Sequence, residues 1–380
     1  MSEGMNQPIT IGFYCSSTSW GGLEMNTVRY AGWMKEVGFR VIVYGVRDTP
    51  FYRQCAMQGL DIRIVQRNKK YFDVLAARRL ARQFQLDEIS LIWFRDTRDM
   101  DTLGWTKRLT SRSFKLLYQQ AMQFGVAKRD VFHTHRFRPI DAWVSTLEFL
   151  RDQVETATRF PKQRIHVVPL GVDSSRLRIG EDLRSSARNY YGLQKDDFVF
   201  GVLGRLDVLK GQHLAIDALV NLHKLGRKVH LLIVGEPTLN EGDQYAKELR
   251  HKVKQCKLEA FVHFHPHSNE VFQFYHAIDV FMLCSKGETF GTVTIEAMAN
   301  GLPIIGTNSS GTPEILDGGK CGVLVDADDN SAWPQAMMSM MDQPDVARAM
   351  GLSAQKRFFA NYSKEISVSR MKAIVEQCIA

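Results

Sequence analysis

Apolar and polar positions along this 380-residue chain fall into two successive series of short apolar runs, each run followed by helical periodicity. The first series opens with ITIGFYC (9–15), a β-branched and aromatic run of strand length. A polar glycine turn, SSTSWGG, and helical spacing over 24–37 follow. VIVYGV (41–46), DIRIVQ (61–66), SLIWF (90–94), KLLYQ (115–119), DAWVST (141–146) and RIHVVPLGV (164–172) read as further strands, and the spacing predicts a helix over 71–84. The pattern then restarts with DFVFGVLGRL (197–206), HLLIVGE (230–236), FVHFH (261–265), DVFMLCS (279–285), LPIIGT (302–307) and GVLVDA (322–327). These runs are nearly all apolar, as strands covered on both faces are. Strand–helix alternation of this kind predicts an α/β chain with two doubly wound, Rossmann-like parallel sheets. The segment 173–186 is the expected linker, giving domains at 1–172 and 173–364, and a cleft for ligand is expected at the carboxyl ends of the strands.

Composition changes this picture little, and charge changes it more. Six cysteines are scattered without C-x-x-C pairing, which favours packing thiols in a reducing compartment. No basic leader precedes the first apolar run and no apolar segment reaches spanning length, so a cytoplasmic protein, possible at the inner face of a membrane, is expected. Residues 1–180 carry 28 Lys+Arg against 17 Asp+Glu, and the remainder 21 against 24, so the two halves are built for different partners. Trp105, Leu109 and Phe114 interleave with Lys107, Arg108, Arg112 and Lys115, a pattern fit for an anionic membrane surface, or for an ordinary basic helix. No nucleic-acid motif accompanies the charge.

Candidate chemistry concentrates in SKGETFGTVTIEAMANGLPIIG (285–306). A helix is expected over 290–300, closed by Gly301 and Pro303. Eight residues at the rise of an α-helix place Glu296 roughly 12 Å beyond Glu288, too far to share a proton. Thr289, Phe290, Gly291 and Thr292 then present backbone N–H groups at the positive end of the helix, a seat for a diphosphate. Glu288 would face a hydroxyl-rich group on one side of that anion and Glu296 a ribose on the other. The alternative is a capping Glu288 and a solvated Glu296.

These residues, continued by NSSGTPEIL to Leu316, resemble the E-x7-E signature of retaining GT-B glycosyltransferases of family 4, the glycosyl transferases group 1. VVPLGVD (167–173) is similar to the interdomain segment of that family, GRLDVLKGQ (204–212) and on to the first loop of its C-terminal domain, and GGLE (21–24) to its N-terminal glycine loop. The resemblance implies transfer of a hexose with retention from a nucleotide-diphosphate sugar, UDP by default, to a glycan or lipid-linked acceptor, without cofactor or metal. It implies that Arg205 and Lys210, after Gly204, grip the diphosphate, and that Glu288 and Glu296 contact donor sugar and ribose. Gly21 and Gly22 let the N-terminal loop come close to the ligand, and a last helix (365–380) returns to the N-terminal domain. Where many relatives carry a histidine after the strand corresponding to KLLYQ, this chain has Gln119 and Gln120; Gln120 and Asp96 are acceptor-side candidates, and His265 and His267 lie in the loop that runs near the nucleobase in relatives. A metal reading of His263, His265 and His267 lacks supporting ligands nearby in sequence, and the D-x-D pairs Asp99/Asp101 and Asp326/Asp328 are chance copies expected among 41 acidic residues. Rival functions are a nucleotide-sugar-binding paralogue without activity, or an epimerase on the same architecture. A phosphorylase lacks an identifiable pyridoxal lysine, and a dehydrogenase lacks G-x-G-x-x-G.

Overall fold

The computed structural model describes residues 9–68, 73–110, 113–174, 180–237, 243–266, 268, 271–329 and 331–380. Two compact units emerge, Met1–Pro169 together with Ser367–Ala380, and Leu170–Ile366.

The first unit is built on seven strands: β1 (Thr10–Cys15), β2 (Arg40–Val46), β3 (Asp61–Val65), β4 (Leu91–Phe94), β5 (Lys115–Gln119), β6 (Ala142–Ser145) and β7 (Ile165–Val167). They pair in the order β3-β2-β1-β4-β5-β6-β7, all parallel. Chain order runs outward from β1 to β3 and then restarts at β4 on the other side of β1, so the topological switch lies between β1 and β4. Both strands are buried throughout, which explains their unbroken apolar sequence. The core is rich in aromatic rings: Trp143 meets Tyr118, Phe137 and Phe160 at centroid distances of 4.7, 5.4 and 5.3 Å.

The second unit has six strands: β8 (Val199–Leu203), β9 (His230–Val234), β10 (Val262–His265), β11 (Val280–Leu283), β12 (Ile304–Thr307) and β13 (Val323–Val325). Their order is β10-β9-β8-β11-β12-β13, again parallel, with the switch between β8 and β11.

Several expectations shift. The helix expected over 71–84 runs Val74–Leu86, its start set by Asp73, whose side chain accepts from the Ala76 N–H at 3.2 Å; residues 71 and 72 lie outside the described set. The strand expected over 164–172 stops at Val167, because Pro169 has no amide hydrogen for the ladder. Leu170 to Val172 belong with the second unit: the Val172 N–H donates to the Tyr362 carbonyl at 2.9 Å and the Lys364 N–H to that of Val172 at 3.0 Å. Of the expected linker, 175–179 lie outside the described residues, and its last part opens the helix Glu181–Tyr191, closed by Gly192 at φ 71°. In the last helix, Lys364–Ile379, the Ser367 hydroxyl donates to the Pro169 carbonyl at 2.7 Å, and Met371 and Val375 are buried.

The segment read as interfacial is largely folded inward. Leu103 and Phe114 are core residues, Arg108 lies over the Trp105 ring at 5.0 Å, and Lys107 is tied to the Pro139 carbonyl and Asp141. Leu109 is its one large exposed aliphatic among the described residues, too little for a membrane-facing stripe. No described helix is long and apolar enough to cross a membrane.

Candidate active site

In the second unit the loops after β8 and β11 leave the sheet on either side of the switch point, where a crevice forms at the carboxyl ends of parallel strands. Three contacts set these loops in register. Gly211 adopts φ +71°, and a Cβ there would overlap the carbonyl oxygen of Cys284. The Lys286 N–H donates to the Leu209 carbonyl at 3.2 Å. Between them, Lys210 Nζ donates to Glu288 Oε2 at 2.6 Å, with both side chains partly exposed. Seventy-eight residues separate this pair along the chain. The loop after β12 joins it, as the Gly311 N–H donates to the Glu288 carbonyl at 3.2 Å.

Arg205 stands one residue past Gly204 and is exposed, its carbonyl held by the Gln212 amide at 2.7 Å. Gly235, after β9, is packed so closely on the Gly204 carbonyl that any Cβ would overlap it. Asp207 receives the Leu209 N–H at 2.8 Å, forming the short turn that lifts Lys210.

The helix after β11 runs Thr292–Ala299, not 290–300, because Gly291 is left-handed at φ +67° and acts as the N-cap without a side-chain bond. Glu288 therefore sits in a loop ahead of the helix, and the roughly 12 Å spacing from helical rise does not apply to the pair. Thr289 and Thr292 are half-buried at this helix start, whereas the Phe290 ring is buried against Tyr362, with centroids 6.2 Å apart. Phe290 thus anchors the loop, and only its backbone is available to a ligand. Glu296 Oε2 lies 2.8 Å from the Tyr275 hydroxyl, which also reaches the Val293 carbonyl at 3.0 Å. Burial, then the neighbouring Glu296 charge, pushes the Tyr275 phenol well above its ordinary value, so it stays protonated and donates.

The weaker candidates divide. His265 packs edge-on against Tyr191 at 4.8 Å, while His263 bonds His230 at 3.0 Å. Burial lowers all three imidazole pKa values, so these rings are neutral at pH 7. His267 lies outside the described residues. Asp99 and Asp101 are not a chelating pair: Asp99 accepts from the Ser16 N–H at 3.2 Å, the Ser16 hydroxyl and the Asn68 amide at 2.9 Å, while Asp101 binds Arg136 at 2.7 Å. Asp328 meets Lys286, and Asp326 the Asp328 N–H.

In the first unit, Gln120 is fully buried and its amide is engaged: the oxygen accepts from Trp143 Nε1 at 3.2 Å and the Ser145 hydroxyl at 3.0 Å, and the nitrogen donates to the Met122 carbonyl at 2.9 Å. It braces β5 against β6 and leaves no surface for an acceptor. Asp96 is half-buried and receives the Arg98 N–H at 2.8 Å. Gly21 and Gly22 start the helix Gly22–Glu36, and Gly22 has nothing within 4 Å of where a Cβ would stand. Packing inside the protein does not require glycine at Gly22. The sequence reading missed Tyr275 and Gly235: one tyrosine in an apolar helix carries no signal, and the glycine ends an ordinary strand run.

Two parallel α/β units of this design define the GT-B class. A glycosyltransferase from Rickettsia africae superposes over 98% of this chain and 99% of its own with a TM-score of 0.86 at 17% identity. HepE from Anabaena, in complex with UDP and glucose, does so over 97% and 99% with a TM-score of 0.80 at 18% identity. Residues 184–357 match the family model described as glycosyl transferases group 1. The D-inositol 3-phosphate glycosyltransferase of Corynebacterium urealyticum is 31% identical over 215 residues, 55% of this chain and 50% of that protein. The chain thus spans about half the length of the relatives it matches.

Proposed function

We propose that the chain is a retaining, metal-independent glycosyltransferase that moves a hexose from a UDP-linked sugar to a hydroxyl of a glycan or lipid-linked acceptor in bacterial cell-surface polysaccharide or glycolipid synthesis. The observation that carries this reading is the Lys210–Glu288 pair at the switch point of the second sheet, beside the uncapped helix start at Gly291. Breaking the anomeric C–O bond leaves charge on the departing diphosphate. Lys210, Arg205 and the backbone N–H groups at the helix start supply fixed positive potential for it, the task a divalent ion performs elsewhere. Donor binding exchanges partners here: the diphosphate takes Lys210, and Glu288 turns to the sugar hydroxyls. Glu296, oriented by Tyr275, accepts from a ribose hydroxyl in this reading.

The HepE complexes with UDP and glucose and with UDP-glucose support UDP as the donor nucleotide, and the inositol-phosphate glycosyltransferases support a polyol hydroxyl as nucleophile. The acceptor hydroxyl attacks on the face the diphosphate leaves and passes its proton to the departing phosphate oxygen, which retains configuration without a carboxylate nucleophile. The test is thermal shift against a panel of nucleotide sugars, followed by nucleotide release with added acceptor. Ligand at a hundred times its dissociation constant adds about 2.7 kcal/mol of stability. Stabilisation without release in any acceptor mixture defines a binding-only protein, and release of free sugar without acceptor an epimerase-like or hydrolytic one.

A further inference from the structure

Buried polar groups at the carboxyl ends of β4, β5 and β6 remain outside the donor chemistry. Arg95 follows β4 directly and is 3% exposed, yet its Nε and Nη1 have no hydrogen-bond partner among the described residues. The register pairs Trp93 with Leu117, so strand alternation puts Trp93, Arg95, Leu117 and Gln119 on one face of the sheet. The bond from Trp93 Nε1 to Gln119 Oε1 at 3.2 Å lies on that face. It engages the amide oxygen and leaves Gln119 Nε2, like the Thr146 hydroxyl just past β6, enclosed without a partner among the described residues.

The helix Gly22–Glu36 covers the same face, with Tyr30 packed on Trp93 at 5.1 Å. In a parallel α/β unit the helix after a strand runs back against it, so this helix begins over the carboxyl ends of the strands. Arg95 stands two residues beyond Trp93 toward that beginning. There the N-cap Gly21 offers no side chain, and Gly22 opens onto free space. A buried guanidinium beside a positive helix end is unfavourable without a counter-charge. Burial pulls the Arg95 pKa down to about 10. Glu24 stands close enough to favour the charged Arg95, yet the hydrogen bonds of the nearby acids go elsewhere: Glu24 accepts from the Gly21 N–H at 2.9 Å, and Asp96 from the Arg98 backbone N–H. The unmatched nitrogens of Arg95 and Gln119 are all donors. They fit a group that only accepts.

We propose that Arg95, Gln119 and the start of the helix Gly22–Glu36 bind an anionic group, phosphate or carboxylate, carried by the acceptor. Only the word acceptor rests on the glycosyl-transfer reading; the anion site does not.

The experiment follows the melting temperature of the full chain at saturating UDP, titrated with sodium phosphate and, in a second arm, sodium acetate, against sodium chloride at matched ionic strength. Phosphate or acetate is expected to raise the melting temperature above the chloride control, the better of the two naming the group. Arg95→Met should weaken that effect by about tenfold or more in apparent affinity while leaving the UDP increment intact. Without ligand, Arg95→Met should melt above the wild type, because an unmatched buried cation is gone; a merely structural arginine would melt lower. Gly22→Asp, which sets a carboxylate in the open space, should abolish the anion effect by occupying it. An anion effect that survives in Arg95→Met, or no effect of either anion while UDP stabilises, overturns the proposal. Absence of a UDP increment counts against the donor reading alone, and the anion arms are then read without UDP.

Discussion

Arg188 in the second unit and Arg95 in the first are buried to the same degree, at 2% and 3% exposed. Arg188 donates to the carbonyls of Ala277, Gln194, Lys195 and Asp197 and to the Asp279 carboxylate, at 2.6–3.2 Å. Among the described residues, Nε and Nη1 of Arg95 have no hydrogen-bond partner. The same contrast separates the two candidate ligand regions. Around Lys210 polar groups are paired inside the protein, Lys210 with Glu288 in an ion pair and Tyr275 with Glu296 in a hydrogen bond. Around Arg95, its Nε and Nη1 and Gln119 Nε2 are donors without partners among the described residues. A region matched at rest binds by exchanging partners, so its ligand must outbid an existing ion pair. A region with unmatched donors binds by gaining partners, so a ligand relieves a standing penalty.

The largest expected effect lies in the matched region. Lys210→Ala and Glu288→Ala should each lower turnover by more than about tenfold, measured as UDP release, since each removes charge matched to the transition state. Because the two side chains meet, the double variant should lose less than the sum of the single losses. Near-normal rates in either single variant remove that residue from the site.

Backbone substitutions sharpen the contrast next. Gly235→Ala and Gly211→Ala force a Cβ into a carbonyl oxygen at positive φ, and should cost about 1–3 kcal/mol or more in denaturant unfolding. Gly22→Ala in the first unit meets nothing, so its stability should change by less than about 0.5 kcal/mol while turnover falls. Unchanged turnover in Gly22→Ala would show that no ligand approaches there.

A pH dependence is expected in the first unit. Burial, then the charge of Asp96, raises the Asp99 carboxyl from 3.8 to about 7, while bonds from Ser16 and Asn68 oppose the shift. The folded state holds this proton more tightly than the unfolded chain. The associated stability is fully present below about pH 4 and is lost as pH rises toward 7. Asp99→Asn should remove that slope from a plot of unfolding free energy against pH, and an unchanged slope would place the titration elsewhere.

Much of the fold was legible because strands buried on both faces admit only apolar residues, and all thirteen fall within the predicted runs or extend one by a single residue. Boundaries were less legible. The helix at Thr292 starts where Gly291 turns left-handed, and a glycine in a sequence does not declare its φ. The site was legible in parts: Lys210, Glu288 and Glu296 could be named, but not which of them touch. Gln120 was misread because its letter does not show whether an amide faces solvent or braces two strands.

Residue type and spacing determined by themselves that the chain forms two strand–helix series and that cations follow one strand while acidic side chains follow another, since these depend on local period and composition. Tertiary structure alone decided that Lys210 closes on Glu288, that Tyr275 orients Glu296, and that Arg95 stays unmatched while Arg188 is saturated. Lys210 with Glu288, Tyr275 with Glu296 and Arg188 with Asp279 are pairings between residues far apart along the chain, and the order of strands in the sheet, which no local pattern encodes, sets who stands next to whom.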